Sequence, residues 1–167
     1  MGSMLRLVAV ASLIALSLSG CATVSVEPGL HELRARDDAI ILPVIWSDDK
    51  GMMVEVSING KGPYPFLVDS GSTTTAMFDD ARQRLKLDLV PDKKVEVRGI
   101  IDVAMCPVTS IDSLQIGPVT HASRDIVVLE ERRIAAAGDA YGLIGLDVLR
   151  SHVIAFDPAA SELYLLD

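Results

Sequence analysis

The chain has 167 residues and a formal net charge of −8 at pH 7. This length suits one domain with a single hydrophobic core. An acidic chain without a basic cluster is not expected to bind nucleic acid, or to be drawn to anionic lipid by its charge.

The first twenty residues are predicted to be a targeting segment that takes no part in the fold. Arg6 gives a sparse basic region, and the apolar stretch Leu7 to Leu18 is too short to span a bilayer. Cys21 follows the small residues Ser19 and Gly20 directly after this stretch, which resembles the signal of bacterial lipoproteins. That resemblance implies that the Cys21 thiol is lipidated and becomes the first mature residue. An ordinary signal peptide, or an apolar helix with a chance cysteine, is the alternative.

The residues after the signal are interpreted as a tether between lipid and domain. Residues 21–38 are polar and show little strand pattern, with a short helical piece expected around Leu30 to Arg36. The folded domain is therefore assigned to residues 39–167. Acyl chains would hold the protein at the membrane of the bacterial cell envelope. Ala22, after the cysteine, resembles the pattern that favours the outer membrane, with the domain facing the periplasm.

A β-hairpin is predicted at the start of the domain. Met53 to Ile58 alternates apolar and polar residues, and Asn59-Gly60 follows as a turn. A short buried strand, Phe66 to Val68, comes next and ends in Asp69-Ser70-Gly71-Ser72. A rigid strand would hold the carboxylate at a fixed place, and the glycine permits a close backbone approach. Taken alone, these residues are also those of an ordinary polar turn.

A hydrogen bond and a helix are predicted around this motif. The Ser72 hydroxyl is expected to donate to the outer carboxylate oxygen of Asp69. Thr75 is interpreted as the N-cap of a helix from Ala76 to Leu87, whose first turn carries two aspartates near the positive end of the helix dipole.

Further strands complete the pattern downstream. A possible hairpin at Val97 to Val103 contains one glycine and two isoleucines. Three more short strands and a final hairpin from Ser151 to Leu166 are predicted, and the strand candidates are Val103 to Val108, Ile111 to Ile116 and Ile126 to Leu129. By itself, the segment Gly142 to Leu149 would be interpreted as a helix start with a glycine turn.

Asp69-Ser70-Gly71, followed far downstream by Leu143-Ile144-Gly145, resembles the retropepsin-like aspartic proteases. The resemblance covers about Ile40 to Leu166 in the family's order. It implies an all-β domain with one or two short helices, the retropepsin-like half-barrel. Asp69 would be the catalytic residue. The Ser70 hydroxyl, at a position where most members have threonine, would hydrogen-bond across to a partner loop. Leu143 to Gly145 would be a strand, and a short helix would follow from Leu146 to Leu149. The residues implied to support its loop are Ser70, Gly71, Ser72, Leu143, Ile144 and Gly145. A flap over the bound peptide would consist of Gly99, Ile100, Ile101 and Asp102, although an ordinary core hairpin fits that segment equally well.

The implied chemistry requires two carboxylates that lie close enough to share one proton. The ionised one takes a proton from water, while the protonated one polarises the scissile carbonyl. The sequence has a single Asp-Ser-Gly, so the resemblance implies a C2 homodimer whose loops meet at the two-fold axis. Glu55, Asp102 and Asp147 are alternative partners within the chain, but none of them has the Ser-Gly context.

No metal or other cofactor is expected. The three histidines, His31, His121 and His152, have no metal-site spacing. If Cys21 is lipidated, Cys106 has no disulfide partner and is interpreted as a small apolar side chain in a strand. Retroviral members carry arginine at the position of Leu146, so this chain is expected to support its loop or its dimer differently.

The favoured function is therefore an envelope-anchored aspartic endopeptidase that acts on a peptide or protein substrate. One alternative is a non-catalytic lipoprotein of the same fold that binds a peptide or an envelope protein in its groove or along an edge strand. Another is a subunit or periplasmic adaptor whose partner supplies stability. Retention of Asp69, Ser70, Gly71 and Ser72 together favours the enzyme.

Overall fold

Short β-strands make up most of the chain. The structure, a computed structural model, describes residues 32–47, 51–98, 103–130 and 138–166. Its strands are β1 (Ile40–Pro43), β2 (Ile45–Trp46), β3 (Met52–Ile58), β4 (Lys61–Val68), β5 (Ala76–Phe78), β6 (Leu89–Arg98), β7 (Val103–Ile116), β8 (Val119–Leu129), β9 (Gly142–Ile144), β10 (Val153–Asp157) and β11 (Glu162–Leu166). Its helices are α1 (Asp79–Arg84) and α2 (Leu146–Leu149), and residues 32–34 form a helical turn before β1. The predicted strand-rich fold class is confirmed.

The strands form two sheets. The larger has the order β2-β3-β4-β9-β5-β8-β7-β6, and β3 also pairs with β7, so the sheet curls back on itself. Two of its pairs, β4 with β9 and β5 with β8, are parallel. The smaller sheet has the order β1-β11-β10. Because the curled sheet has a concave side, its inward-facing apolar residues can meet in one core.

Alternating residues of β3 show how that core is built. Val54, Val56 and Ile58 are buried, while Glu55 between them is exposed, as expected of a strand with one covered face. The same core cluster includes Phe66 of β4 and side chains of the smaller sheet, namely Leu42, Leu163 and Leu165. The smaller sheet therefore packs its apolar face against the larger one.

The first and the last predicted hairpins are confirmed. β3 and β4 pair antiparallel across Asn59-Gly60, and both turn residues have positive φ. The Asn59 side-chain oxygen also accepts the backbone N–H groups of Asp112 and Ser113, which ties the turn to β7. At the other end of the chain, β10 and β11 pair antiparallel from Val153 to Leu166.

The strand prediction for residues 103–116 needs one correction. Two strands were expected, but β7 runs without a break from Val103 to Ile116. The connecting residues Thr109 and Ser110 pair with Ile126 and Asp125 of β8. Since this pairing satisfies their backbone groups, the polar side chains do not end the strand. Cys106 lies in β7 and is half-buried, as expected of a small apolar side chain in a strand.

The predicted helix from Ala76 to Leu87 is wrong at its start, and it also ends earlier than predicted, at Arg84. Residues Ala76–Phe78 form β5, which is fully buried and pairs with both β8 and β9. The helix begins at Asp79, with Phe78 at its N-cap and no side-chain capping bond, so Thr75 is not the cap. The partners on either side of β5 override the local helical pattern, because they satisfy its backbone groups in an extended conformation.

Several predictions lie outside the described residues. These include the signal segment with Cys21, most of the tether, and the flap residues Gly99, Ile100, Ile101 and Asp102. The strands on either side of the flap residues do pair, with Arg98 opposite Val103. The helical turn at residues 32–34 agrees with the short helical piece expected there. Within the described ranges, no helix is long and apolar enough to cross a membrane.

Gly142 permits the close packing of the central strands. A Cβ at this position would lie 2.2 Å from the Ala76 carbonyl oxygen and 2.6 Å from a ring carbon of Phe66. Neither neighbour is the end of a flexible side chain, so Gly142→Ala is expected to lower the free energy of unfolding by about 3 kcal/mol. Denaturant titration followed by circular dichroism measures this loss.

Gly60→Ala is the matched control for that substitution. A Cβ on Gly60 would have no atom within 4 Å, but the φ of this residue is +71°. Only the left-handed backbone should oppose this change, which is expected to cost about 1 kcal/mol. Equal losses from the two variants would contradict tight packing at Gly142.

Candidate functional site

Asp69 directly follows β4, and the backbone fixes its position. Its N–H donates to the carbonyl oxygen of Ile144 at 3.0 Å, which extends the parallel pairing of β4 with β9 by one bond. Asp69 is half-buried, whereas Ser70 and Gly71 are exposed. We call residues 69–75 the Asp69 loop. A strand therefore delivers one carboxylate to a loop that lies at the protein surface.

Hydrogen bonds within the loop orient the carboxylate. The Gly71 N–H donates to Asp69 Oδ1 at 2.9 Å, and the Ser72 N–H donates to the Asp69 carbonyl oxygen at 3.2 Å. A Cβ on Gly71 would lie 3.2 Å from the same Oδ1 atom, so the backbone approaches the carboxylate closely. The Gly71 N–H therefore fixes the orientation of one carboxylate oxygen.

The predicted bond from Ser72 to Asp69 is wrong in this structure. The Ser72 hydroxyl donates instead to the carbonyl oxygen of Thr74 at 2.7 Å, and it accepts the Thr74 N–H at 3.4 Å. The loop turns so tightly after Ser72 that this local partner takes the hydroxyl. The bond expected from Ser70 to a partner loop involves a second chain and stays a prediction.

The segment from β9 into α2 supports the Asp69 loop. Leu143 and Ile144 are buried, and the Leu146 N–H donates to the Ser72 carbonyl oxygen at 2.8 Å. Gly145 packs so closely that a Cβ there would lie 2.5 Å from the Thr74 backbone. The two motifs singled out in the sequence, although far apart along the chain, are thus in direct contact.

A set of polar contacts among Thr75, Asp147 and Arg124 was not predicted from the sequence. The buried hydroxyl of Thr75 donates to Asp147 Oδ1 at 2.8 Å and accepts the Gly145 N–H at 3.2 Å. The other oxygen of Asp147 accepts from Arg124 Nη2 of β8 at 2.6 Å. The hydroxyl-rich run after Asp69 could have drawn attention to Thr75, but nothing in the sequence around Arg124 indicates its partner.

The alternative partners for Asp69 within the chain receive little support. Asp147 already binds Thr75 and Arg124, and Glu55 is exposed on β3. Asp102 lies outside the described residues. No group of three side chains suited to hold a metal ion is found in the parts of the chain that the structure describes.

His121 is half-buried beside the Arg124–Asp147 pair. Burial lowers the pKa of the His121 ring, and the positive charge of Arg124 and the neighbouring His152 lower it further, while the negative charge of Asp147 opposes them. The ring is therefore held neutral to lower pH than a solvated histidine.

Comparison with known proteins gives a consistent result. Residues 54–148 match the model of a family described as aspartyl protease, and this span contains both the Asp69 loop and Leu143–Gly145. A retropepsin-like aspartic protease from Rickettsia conorii has a similar fold, with a TM-score of 0.52 and 19% identity over 76% of this chain and 89% of that one. The retroviral protease-like domain of Ddi1 from Leishmania major gives a TM-score of 0.42 and 19% identity over 70% and 94%. No curated protein matches the chain. At this identity the first likeness shows the fold, and the predicted retropepsin-like architecture is confirmed.

The two bonds of the Thr75 hydroxyl should contribute measurably to stability. Thr75→Val keeps the shape but leaves a carboxylate oxygen and a backbone N–H without this partner. We expect the free energy of unfolding to fall by about 2 kcal/mol. Denaturant titration at pH 7 measures the change.

Thr109→Val is the control for that substitution. Thr109 is equally buried, but its hydroxyl donates to the uncharged carbonyl oxygen of Asp88 rather than to a carboxylate. Its loss should be about 1 kcal/mol. A larger loss at Thr109 than at Thr75 would contradict the importance assigned to the Asp147 contact.

The lowered pKa of His121 predicts a dependence of stability on pH. Well above pH 6.5, the ordinary pKa of histidine, the ring is neutral in the folded and the unfolded chain. As the pH falls towards 5, the unfolded chain takes up a proton that the folded chain resists, so the free energy of unfolding decreases. We expect this decrease to be smaller in His121→Gln, measured by denaturant titrations at pH 7 and pH 5. Equal decreases in the two proteins would contradict the assignment.

Proposed function

Because the chain belongs to the aspartyl protease family, we propose that it hydrolyses peptide bonds as a homodimer in which each protomer supplies Asp69. The observation that carries this proposal is the position of a single Asp-Ser-Gly carboxylate on a surface loop, braced by the Leu143-Ile144-Gly145 segment. One protomer holds half of the required pair of carboxylates, and a two-fold axis beside the loop would bring in the other half.

Exposure of the loop supports this arrangement. Ser70, Gly71 and Thr73 are exposed, and Asp69 itself is half-buried rather than enclosed in the core. A second copy can therefore approach the carboxylate without unfolding of either chain. The Ser70 hydroxyl lies on this exposed part of the loop, from which it could bond to the loop of that second copy.

The proposed reaction is a water-mediated hydrolysis without a covalent intermediate. Two carboxylates at the dimer axis cannot both ionise easily, so they share one proton. The ionised carboxylate takes a proton from water, and the oxygen of that water attacks the scissile carbonyl carbon. The protonated carboxylate polarises the carbonyl oxygen and later transfers its proton to the leaving amine. The Gly71 N–H, bonded to Asp69 Oδ1, holds one carboxylate oxygen in place during these steps.

A flap over the substrate is proposed at the tip of the β6–β7 hairpin. Arg98 pairs with Val103, so residues 99–102 connect the two strands. Next to this tip, Val103 and Met105 are 60% and 58% exposed. Such apolar side chains at the end of a hairpin are suited to cover an extended peptide. Gly99, Ile100, Ile101 and Asp102 form the proposed flap.

The site of action is proposed to be the bacterial cell envelope. The support is the sequence at the start of the chain, in which Cys21 follows a short apolar stretch and two small residues. A lipid on Cys21 and a tether of residues 21–38 would hold the domain at the outer membrane, facing the periplasm. No cofactor is required by the proposed reaction.

Asp69→Asn tests the reaction directly. The amide can neither take a proton from water nor share one with its twin, so kcat/KM is expected to fall at least about 10³-fold. A diverse peptide library, incubated with each protein at mildly acidic and at neutral pH and analysed by mass spectrometry, measures cleavage. Asp112→Asn, which removes an exposed carboxylate on β7, should leave the cut pattern unchanged.

Mixing the proteins tests the homodimer in the same assay. An excess of Asp69→Asn chains should inhibit the wild type, because mixed dimers carry one carboxylate. Activity that is indifferent to the added chains would refute the shared site. Identical cutting by wild type and Asp69→Asn would refute a reaction that depends on Asp69, and no cutting by either would refute hydrolysis. Peptide binding without cutting would then favour a binding lipoprotein of the same fold.

A further inference from the structure

We propose that Arg124 is a positioning residue for the Asp69 loop and acts on it through Asp147 and Thr75. The inference rests on the function proposed above, because it assigns Arg124 a part in the same reaction. Arg124 lies on β8, which is not adjacent to β4 in the sheet, so any effect on Asp69 must pass through the residues between them.

The Asp69 loop depends on the segment of residues 144–147 for its support. Three contacts that involve the backbone connect them: Asp69 N–H to Ile144 O, Leu146 N–H to Ser72 O, and Gly145 N–H to Thr75 Oγ1. The fourth contact is the Thr75 hydroxyl bond to Asp147 Oδ1. Of these four, the last one joins two side chains, and it holds only if the Asp147 carboxylate keeps its orientation.

Arg124 fixes that orientation. The two oxygens of Asp147 are divided between two donors, with Oδ1 facing Thr75 and Oδ2 facing Arg124 Nη2 at 2.6 Å. The side chains of Arg124 and Asp147 are 22% and 23% exposed, so solvent screens the pair less than a surface ion pair. A charge-assisted bond of this length is strong enough to hold the carboxylate plane.

One of the donor groups of Arg124 is not used in the contacts described above. Its Nε atom is buried and has no hydrogen-bond partner among the described residues. A buried donor without a partner costs free energy. An unpaired buried donor in a native structure calls for an explanation, and a role in holding the Asp69 loop supplies one.

A second ion pair in the chain provides a matched control. Arg82 Nε donates to Asp79 Oδ1, also at 2.6 Å, and these side chains are 16% and 26% exposed. This pair lies within α1 and the turn that follows it, where Arg82 also bonds to the Leu87 carbonyl oxygen. It has the same chemistry and similar burial, but its hydrogen bonds stay within residues 79–87 and do not reach the Asp69 loop. Its loss should affect stability without affecting the loop.

Amide hydrogen exchange of the full chain is the first measurement. Arg124→Ala should accelerate exchange of the Asp69, Gly145 and Leu146 amides by roughly tenfold relative to amides in β10 and β11. Arg82→Ala should not accelerate these three amides selectively. Unchanged exchange at the three amides in Arg124→Ala, or the same change in Arg82→Ala, would overturn the proposal.

Steady-state kinetics on a cleaved peptide is the second measurement. Arg124→Ala should lower kcat roughly tenfold or more, with KM within about twofold, because the reacting carboxylate is displaced while the peptide still binds. Arg82→Ala should keep kcat. Combining Arg124→Ala with Asp147→Ala should lower kcat no further than either change alone, since the two residues act in one chain of contacts. Additive losses, or equal losses in the Arg82 and Arg124 variants, would contradict positioning.

Failure of the proposed function can be told apart from failure of the Arg124 proposal. An inactive wild type would refute the proposed function, and hydrogen exchange would then decide by itself whether Arg124 orders the loop. If Arg124→Ala does not fold, Arg124→Lys replaces it in both measurements. Lysine keeps the charge but loses the planar donor group, so we expect an intermediate effect. Wild-type exchange and wild-type kcat in Arg124→Lys together with an unfolded Arg124→Ala would show a purely structural residue.

Discussion

The parallel pairing of β4 with β9 is the constraint on which the rest of the site depends. It brings residues 66–68 beside residues 142–144, and the bond from the Asp69 N–H to the Ile144 carbonyl oxygen continues it into the loop. The pairing is possible because Gly142 and Gly145 leave room where a Cβ would meet a neighbouring backbone. Parallel strands cannot be joined by a short turn, and here the connection runs all the way from Val68 to Gly142. The strands β5 to β8 lie in that interval, and the pairing of β7 with β3 closes the larger sheet.

Local patterns were sufficient to predict most strands, the Asp69 loop and the Leu143-Ile144-Gly145 segment that supports it. The alternation in β3, the Asn59-Gly60 turn and the two glycine motifs each carry their information within a few residues. Features that depend on a distant partner were not predictable in the same way. The residues of β5 have a helical pattern, but pairing with β8 and β9 makes them a strand. Thr109 does not interrupt β7, because β8 satisfies the backbone hydrogen-bonding groups of this residue. The contact of Arg124 with Asp147 joins two elements whose neighbourhood no local pattern reveals.

The sequence departs from the retroviral pattern at Leu146, where those proteins carry arginine. In this structure Leu146 is half-buried and contributes its backbone N–H to the loop, while a guanidinium reaches the next residue, Asp147, from β8. The positive charge near the loop is therefore supplied by a different part of the chain. Because β8 does not adjoin β4 in the sheet, side chains rather than backbone pairing connect β8 to the loop.

The long interval between the two halves of the site has a consequence for synthesis of the protein. Chains emerge from the ribosome starting at the N-terminus, so Asp69 is exposed to solvent well before residues 142–147 have been translated. Until those residues arrive, the loop lacks the backbone and side-chain anchors that they supply. The Asp69 loop therefore cannot take its folded arrangement before residues 142–147 have been made. The reaction proposed above would require these later residues as well as Asp69 itself.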